Sequence, residues 1–177
     1  MNRALFCLDI QIDHFPMGML EVKDADSLIG ELNTYREAFD KVFLFNSSYP
    51  ADHIRFAANH MWRKPGVSIE IEGTEIDLFP MYCIQDSWGA EIHPTFNKKE
   101  SDQIISRGQN KAVNPSLLWE DPTFIDDLKN KDIKEIIISG IVIEDALLQN
   151  SINKLISEGF VVDLKQELIR KELLPYA

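Results

Sequence analysis

Short, continuous apolar runs recur along this chain and are separated by longer segments with helical periodicity. The runs predict five buried strands, at residues 4–8, 41–46, 103–107, 135–140 and 160–163. Apolar side chains three and four positions apart predict helices at residues 26–39 and 145–158. Gly159 follows the second helix, at the position where helices commonly end. A last helical stretch is predicted at residues 165–174.

This order of elements predicts an α/β fold. Strands that alternate with helices are joined by right-handed crossovers, which place the strands side by side in a parallel sheet covered on both faces. We therefore expect three layers, α/β/α, around a mostly parallel central sheet of five to six strands. Residues 57–100 fit neither pattern and contain Trp62 and Trp88, so we expect a long excursion over the strand ends. Residues 1–177 are expected to form a single domain.

Charge and cysteine content narrow the range of functions. The chain has 29 acidic and 18 basic side chains, a net charge of -11, and no basic cluster, so nucleic acid is not an expected partner. No apolar run approaches the roughly 20 residues of a membrane span, and Asp9 comes too early for a signal peptide. Cys7 and Cys83 form neither a metal pair nor a disulfide framework. We expect a cytoplasmic protein that does not bind membranes.

Several polar segments follow the predicted strands, where parallel sheets bind their ligands. The segments are Asp9-Ile-Gln-Ile-Asp-His-Phe-Pro-Met-Gly18, Cys83-Ile-Gln-Asp-Ser-Trp-Gly-Ala-Glu-Ile-His-Pro94, Arg107-Gly108 and Gly140-Ile-Val-Ile-Glu-Asp-Ala146. Together they resemble the isochorismatase-like cysteine hydrolases, the superfamily that includes the nicotinamidases. The similarity runs from Leu5 to about Val162, nearly the whole chain, and the segment that begins at Cys83 is its most specific part.

The resemblance implies a catalytic triad that is degenerate in this chain. Asp9 matches the catalytic aspartate, Arg107 the lysine and Ala146 the nucleophilic cysteine. A methyl group cannot attack an amide carbonyl, and an arginine neither accepts nor releases a proton near neutral pH. We expect Asp9 and Arg107 to form an ion pair on the floor of the former site. Backbone N–H groups at the helix start near Ala146 still provide a place for a small carboxamide or carboxylate.

The resemblance also implies a metal site, which this sequence has mostly lost. The family supplies one carboxylate and three imidazoles to a divalent ion, and the matching positions here are Ser47, Tyr49, His53 and Tyr82. Only His53 keeps a ligand identity, because hydroxyl and phenol groups bind zinc or iron weakly at neutral pH. We therefore expect no catalytic metal and no cofactor, with a weak site at Asp52 and His53 as the open alternative.

The remaining candidates concern the ligand and a substitute nucleophile. The residues expected beside a ligand are Gln11, Phe15, Trp88 and Ile143. Cys83 and Ser139 are the other nucleophilic side chains near the expected site, and the sequence provides neither with an evident base.

Three functional hypotheses follow. The preferred one is a catalytically silent family member that binds a small molecule or a protein partner through the retained scaffold. The second is an amidohydrolase that is active, or that was inactivated by placing alanine at position 146. The third is a structural subunit of a homo-oligomer, with an interface formed by the acidic surface and the excursion between Trp62 and Trp88.

Overall fold

A computed structural model describes residues 2–171, and within this range the chain forms seven strands and three α-helices. The strands are β1 (Arg3–Leu8), β2 (Val42–Ser47), β3 (Ser68–Ile71), β4 (Thr74–Asp77), β5 (Gln103–Arg107), β6 (Glu135–Val142) and β7 (Val161–Lys171). The helices are α1 (Ala25–Arg36), α2 (Phe124–Asn130) and α3 (Asp145–Ser157). In the described range, no helix combines the length and the apolar character that crossing a bilayer requires.

The central sheet is parallel throughout the described part of the chain. Its five strands lie in the order β5-β2-β1-β6-β7. Side chains of β1 alternate between two cores, because successive residues of a strand point to opposite faces. Phe6 packs with residues of α2 and α3 on one face, and Leu5 packs with residues of α1 on the other. The predicted three-layer α/β/α architecture is confirmed.

The predicted helix at residues 165–174 is wrong for the part that the structure describes. Residues 165–171 continue strand β7, which pairs in parallel with β6. A register shift between Ile138 and Gly140 keeps the two strands paired over this length. Hydrogen bonding to the open edge of β6 therefore outweighs the local helical spacing of apolar residues. Such spacing predicts secondary structure only weakly when tertiary contacts compete with it. Residues 172–174 lie outside the described residues.

Two elements were not predicted, helix α2 and the hairpin formed by β3 and β4. The hairpin is a separate two-stranded antiparallel sheet within the excursion that the sequence predicts at residues 57–100. Glu72 and Gly73 form its turn and have positive φ angles of 51° and 78°, a combination typical of the tight turns that suit twisted hairpins. The excursion thus contains a short hairpin that is separate from the main sheet.

Candidate functional site

The predicted ion pair between Asp9 and Arg107 is present and buried. Arg107 Nη2 donates to Asp9 Oδ2 at 2.5 Å, and the two side chains are 4% and 3% exposed. Ser47, the last residue of β2, donates to Asp9 Oδ1 from its backbone N and its Oγ, each at 3.2 Å. Burial lowers the pKa of Arg107, but the Asp9 carboxylate and the phenol groups of Tyr49 and Tyr82 together raise it further than burial lowers it. Arg107 is therefore a fixed cation whose proton is not available for transfer near neutral pH.

Next to this ion pair, the Gln11 side chain links the ends of β1 and β2 through hydrogen bonds. Its Nε2 donates to the carbonyl oxygens of Ser47 and Ala90, at 2.7 and 2.8 Å, and its Oε1 accepts from the backbone N of Ser47 at 2.8 Å. The Gln11 side chain is fully buried. It connects the ends of β1 and β2 to the loop at residues 88–90, so the residue predicted to contact a ligand also has a structural role.

Ala146 differs from the other two triad positions in its exposure to solvent. It is exposed near the start of α3, where it lines a shallow surface cleft with Leu164 and Lys171 of β7. None of the described contacts joins Ala146 to Asp9 or Arg107. The structure thus brings together two of the three predicted triad positions and leaves the third at the surface.

A second ion pair, which the sequence did not predict, joins the buried Arg55 to Glu144, whose side chain is 22% exposed. Arg55 Nη2 donates to Glu144 Oε1 at 2.5 Å, and Arg55 Nη1 makes a very short hydrogen bond to Tyr49 Oη. The fully buried guanidinium lies 4.7, 4.4 and 5.7 Å from the ring centres of Tyr49, Phe79 and Tyr82. Burial lowers the pKa of Arg55, but Glu144 and the phenol groups raise it further than burial lowers it. Arg55 is therefore a second arginine that stays protonated near neutral pH.

A signal for Arg55 was present in the sequence. The residue interrupts the otherwise apolar stretch Ile54-Arg55-Phe56-Ala57, and a charged side chain in such a stretch is buried only when it is paired. Its partner could not be inferred, because Glu144 is 89 positions away along the chain.

The degenerate metal positions do not form a metal site. Tyr49 and Tyr82 pack around the Arg55 cation, and Ser47 bonds to Asp9. Among residues 2–171, no group of three or more histidine, cysteine, aspartate or glutamate side chains is placed to hold a metal ion. The residues present therefore do not fit the divalent ion that the resemblance implies.

His53 and Asp52 are both committed to other contacts. His53 Nε2 lies 3.1 Å from the Val113 carbonyl oxygen, and its Nδ1 accepts from the backbone N of Arg55 at 3.1 Å. The Asp52 carboxylate pairs with Lys111 Nζ at 2.5 Å on the surface. Both imidazole nitrogens are thus engaged, which argues against the weak metal site proposed for this pair of residues.

The buried His53 makes the stability of the fold depend on pH. Burial, and then the Arg55 cation, lower the pKa of His53 to about 4, whereas an unfolded histidine titrates near about 6.5. As the pH falls, the unfolded chain binds this proton first, so the folded state loses stability between about pH 6.5 and 4. Calorimetry should show the melting temperature falling across this window, and His53→Gln should reduce the slope. Burial also lowers the pKa of His14, so some slope should remain; an unchanged slope would assign the effect to other groups.

Neither cysteine of the chain offers a thiolate. Burial raises the pKa of Cys7 to about 12, and it raises the pKa of Cys83 well above its usual value. Cys83 Sγ lies 3.7 Å from His14 Nε2, while His14 Nδ1 lies 3.2 Å from the Leu20 carbonyl oxygen. The carbonyl fixes the proton on Nδ1, which leaves Nε2 as an acceptor for the thiol. The structure thus gives Cys83 a basic neighbour, but both side chains are fully buried and closed to a substrate.

A polar cleft of about 400 Å³ lies at the carboxyl ends of β1, β2 and β5. Its lining residues are Gln11, Asn46, Ser47, Ser48, Asp86, Ser87, Ala90, Glu91 and Ser106. Of the four predicted ligand residues, Gln11 lines this cleft, and Trp88 is 67% exposed on the adjoining loop. Phe15 is buried against His93, and Ile143 is half-buried against two apolar clusters. Of the four residues, Gln11 alone is among those that line this cleft.

Comparisons with known proteins connect this geometry to a family. No family model matches the chain. It is 31% identical to a nicotinamidase of Acinetobacter baylyi over 112 residues, which cover 63% of this chain and 52% of that protein. It is 28% identical to a nicotinamidase of Escherichia coli over 149 residues, which cover 78% of this chain and 70% of that protein. The first match thus spans about half the length of the relative.

Among solved structures, the yeast nicotinamidase Pnc1p bound to the inhibitor nicotinaldehyde has a similar fold. The superposition has a TM-score of 0.86 at 18% sequence identity and covers 98% of this chain and 90% of the yeast protein. At this level of identity the similarity concerns the fold, which is the same three-layer arrangement around a parallel sheet.

Proposed function

Because the chain belongs to the isochorismatase-like family of nicotinamidase-related proteins, we propose that it binds a small carboxamide through the retained scaffold without hydrolysing it. The observation that carries this proposal is the buried ion pair of Asp9 and Arg107. Amide hydrolysis by a cysteine enzyme needs an activated thiol and an acid that protonates the departing nitrogen. Arg107 keeps its proton, and Asp9 is fully engaged by Arg107 and Ser47.

Among the described residues, the candidate nucleophiles Cys83 and Ser139 do not replace the missing thiol. Cys83 is neutral and enclosed, and Ala146 presents a methyl group at the surface. Ser139 is buried within β6, where its hydroxyl donates to the carbonyl oxygen of Phe6 at 3.2 Å. These contacts favour the catalytically silent hypothesis over the active amidohydrolase.

The polar cleft at the strand ends supports a carboxamide as the ligand. Serine hydroxyls and the Asn46 amide can donate to a carbonyl oxygen. The carboxylates of Asp86 and Glu91 also line the cleft, and they accept from an amide N–H but repel an anion. The exposed ring of Trp88 offers a surface for stacking. The nicotinaldehyde in the yeast structure is an aromatic carbonyl compound, so we take an aromatic carboxamide as the ligand class.

Nicotinamide is the first compound to test. We expect saturable binding by ligand-observed NMR, no release of ammonia over many hours, and weaker binding of nicotinate because of its negative charge. Ser106→Phe should abolish binding by filling the cleft, whereas Ser101→Phe, an exposed control just before β5, should not. Ammonia release by the unaltered chain, or equal binding by both variants, would show that the proposal is wrong.

An Ala146→Cys variant tests the depth of the catalytic loss. We expect it to remain silent towards nicotinamide with or without added zinc, because position 146 is exposed and no described contact joins it to Asp9 or Arg107. Ammonia release by this variant, and not by the parent, would instead favour the second hypothesis. The site would then be competent for hydrolysis and would lack only the cysteine thiol. A maleimide reaction confirms that the introduced thiol is accessible.

A further inference from the structure

Met61 and Trp62 project into solvent a few residues before the β3–β4 hairpin. Their side chains are 82% and 94% exposed, and Trp62 has a φ angle of +61°. A bulky aromatic residue rarely adopts this left-handed conformation, which costs on the order of 1–3 kcal/mol. Keeping two large apolar side chains in water also forgoes the gain from burying them. Such a projection is typical of a surface that another molecule covers.

The two residues that follow Trp62 carry unpaired positive charge. Arg63 and Lys64 are exposed, and none of the ion pairs found among residues 2–171 includes either of them. Methionine, tryptophan and arginine are the side chains enriched in the centres of protein interfaces. Residues 61–64 therefore combine an apolar projection with two cations that have no partner in the described part of the chain.

The outward face of the hairpin carries the opposite charge. Glu70 on β3 pairs directly with Glu75 on β4, and Asp77 lies on the same face two positions further. Like charges at directly opposed positions destabilise a strand pair, and these carboxylates are absent from the described ion pairs. The other face of the hairpin holds Ile69 and the buried Ile76, so it packs against the body of the protein.

The cations and the carboxylates lie at different points along the hairpin. Backbone hydrogen bonds from Gly66 to Leu78 and from Leu78 to Val67 close its base, at 2.7 and 2.9 Å. The cations precede this base, whereas the carboxylates extend from it towards the tip. Each four-residue strand is about 13 Å long, and within one copy neither cation forms an ion pair with these carboxylates among residues 2–171.

We propose that residues 61–64 and the outward face of β3–β4 form the interface of a homodimer. A second copy, with its hairpin antiparallel to the first, brings the cations of each copy to the carboxylates of the other and covers both Trp62 side chains. A two-fold axis requires one patch to be complementary to itself, and this patch carries both charges. Repulsion between the acidic bodies is screened beyond about 8 Å at physiological salt. The proposal is independent of the proposed ligand.

Sedimentation velocity of the full chain at physiological salt tests this interface. We expect a concentration-dependent dimer, and Trp62→Ala should raise its dissociation constant by about 30-fold or more, as for an interface hot spot. Ile156→Ala is the matched control, because Ile156 is an apolar side chain 54% exposed on α3, outside the proposed interface. Circular dichroism confirms that both variants fold. A monomeric parent, or a dimer unaffected by Trp62→Ala, would overturn the proposal.

A charge exchange tests the antiparallel arrangement. The double variant Arg63→Glu, Lys64→Glu and the double variant Glu70→Lys, Glu75→Lys should each be monomeric alone, because their homodimers bring like charges together. Mixing the two should restore a dimer, since the acidic segment of one variant then meets the basic hairpin of the other. A mixture that stays monomeric while the parent dimerises would rule out this pairing of charges.

Discussion

Replacing Glu144 with alanine is expected to lower the free energy of unfolding by about 3–5 kcal/mol. Among the described ion pairs, Glu144 is the one carboxylate that pairs with Arg55. Arg55 is fully buried, so the substitution leaves a guanidinium in the interior with no compensating charge. Tyr49 and the surrounding rings still contact it, but they carry no net negative charge. Urea denaturation at pH 7 measures the effect.

Two further variants identify the cause of this loss. Glu144→Gln keeps an acceptor oxygen without the charge, so it should destabilise the fold less than alanine does. Glu158→Ala removes a carboxylate that pairs with Lys129 and Lys154 at the surface, where such pairs contribute little. If Glu144→Ala shifted the denaturation midpoint no more than Glu158→Ala, the Arg55 pair would not be a stabilising feature.

Gly108→Ala should cost about 2–5 kcal/mol through overpacking and backbone strain together. A Cβ atom at this position would lie 2.1 Å from Cε1 of Tyr49, and the residue has a φ angle of +83°. The Tyr49 ring has no room to move, because it is fully buried beneath Arg55 and edge-on to Tyr82. The same denaturation assay measures the loss.

Gly73→Ala is the matched control for this clash. Gly73 has a φ angle of +78°, close to that of Gly108, but nothing lies within 4 Å of its added Cβ. Its substitution should cost only the strain of the left-handed backbone, about 1–2 kcal/mol. Equal losses in the two variants would mean that the Tyr49 ring yields, and that the packing around the buried cations is looser than the geometry indicates.

The three inner strands of the central sheet, β1, β2 and β6, were predictable because they are buried on both faces. Runs such as Glu135-Ile-Ile-Ile-Ser admit few other structures in a chain of this length. Strand β7 was harder, since Leu164 and Leu168 are four positions apart and fit a helix equally well. Pairing with β6 decides between strand and helix here. Because this pairing joins distant parts of the chain, a local sequence pattern does not predict it. The β3–β4 hairpin was missed although Ser68-Ile-Glu-Ile alternates polar and apolar residues, because each of its strands is only four residues long.

Of the two ion pairs at the site, one was predictable from the sequence. Asp9 and Arg107 both lie at strand ends, so the topology alone brings their opposite charges together. The pair of Arg55 and Glu144 joins a loop to a distant turn, and neither position lies on a predicted strand. Ala146 shows the same limit, because an alignment assigns a position along a helix and does not establish which way the side chain faces.

The position of β1 in the sheet has a consequence for synthesis. Ala4 pairs with Ile136, so one edge of the central strand β1 stays unpaired until a segment at least 130 residues further along the chain has been synthesised. At ribosomal speeds of about 5–20 residues per second, this interval lasts roughly 7–26 seconds. During that time Phe6 and its neighbours form half of a core, next to an open strand edge. The nascent chain is thus exposed to aggregation until β6 emerges, and holdase chaperones have a defined interval in which to act.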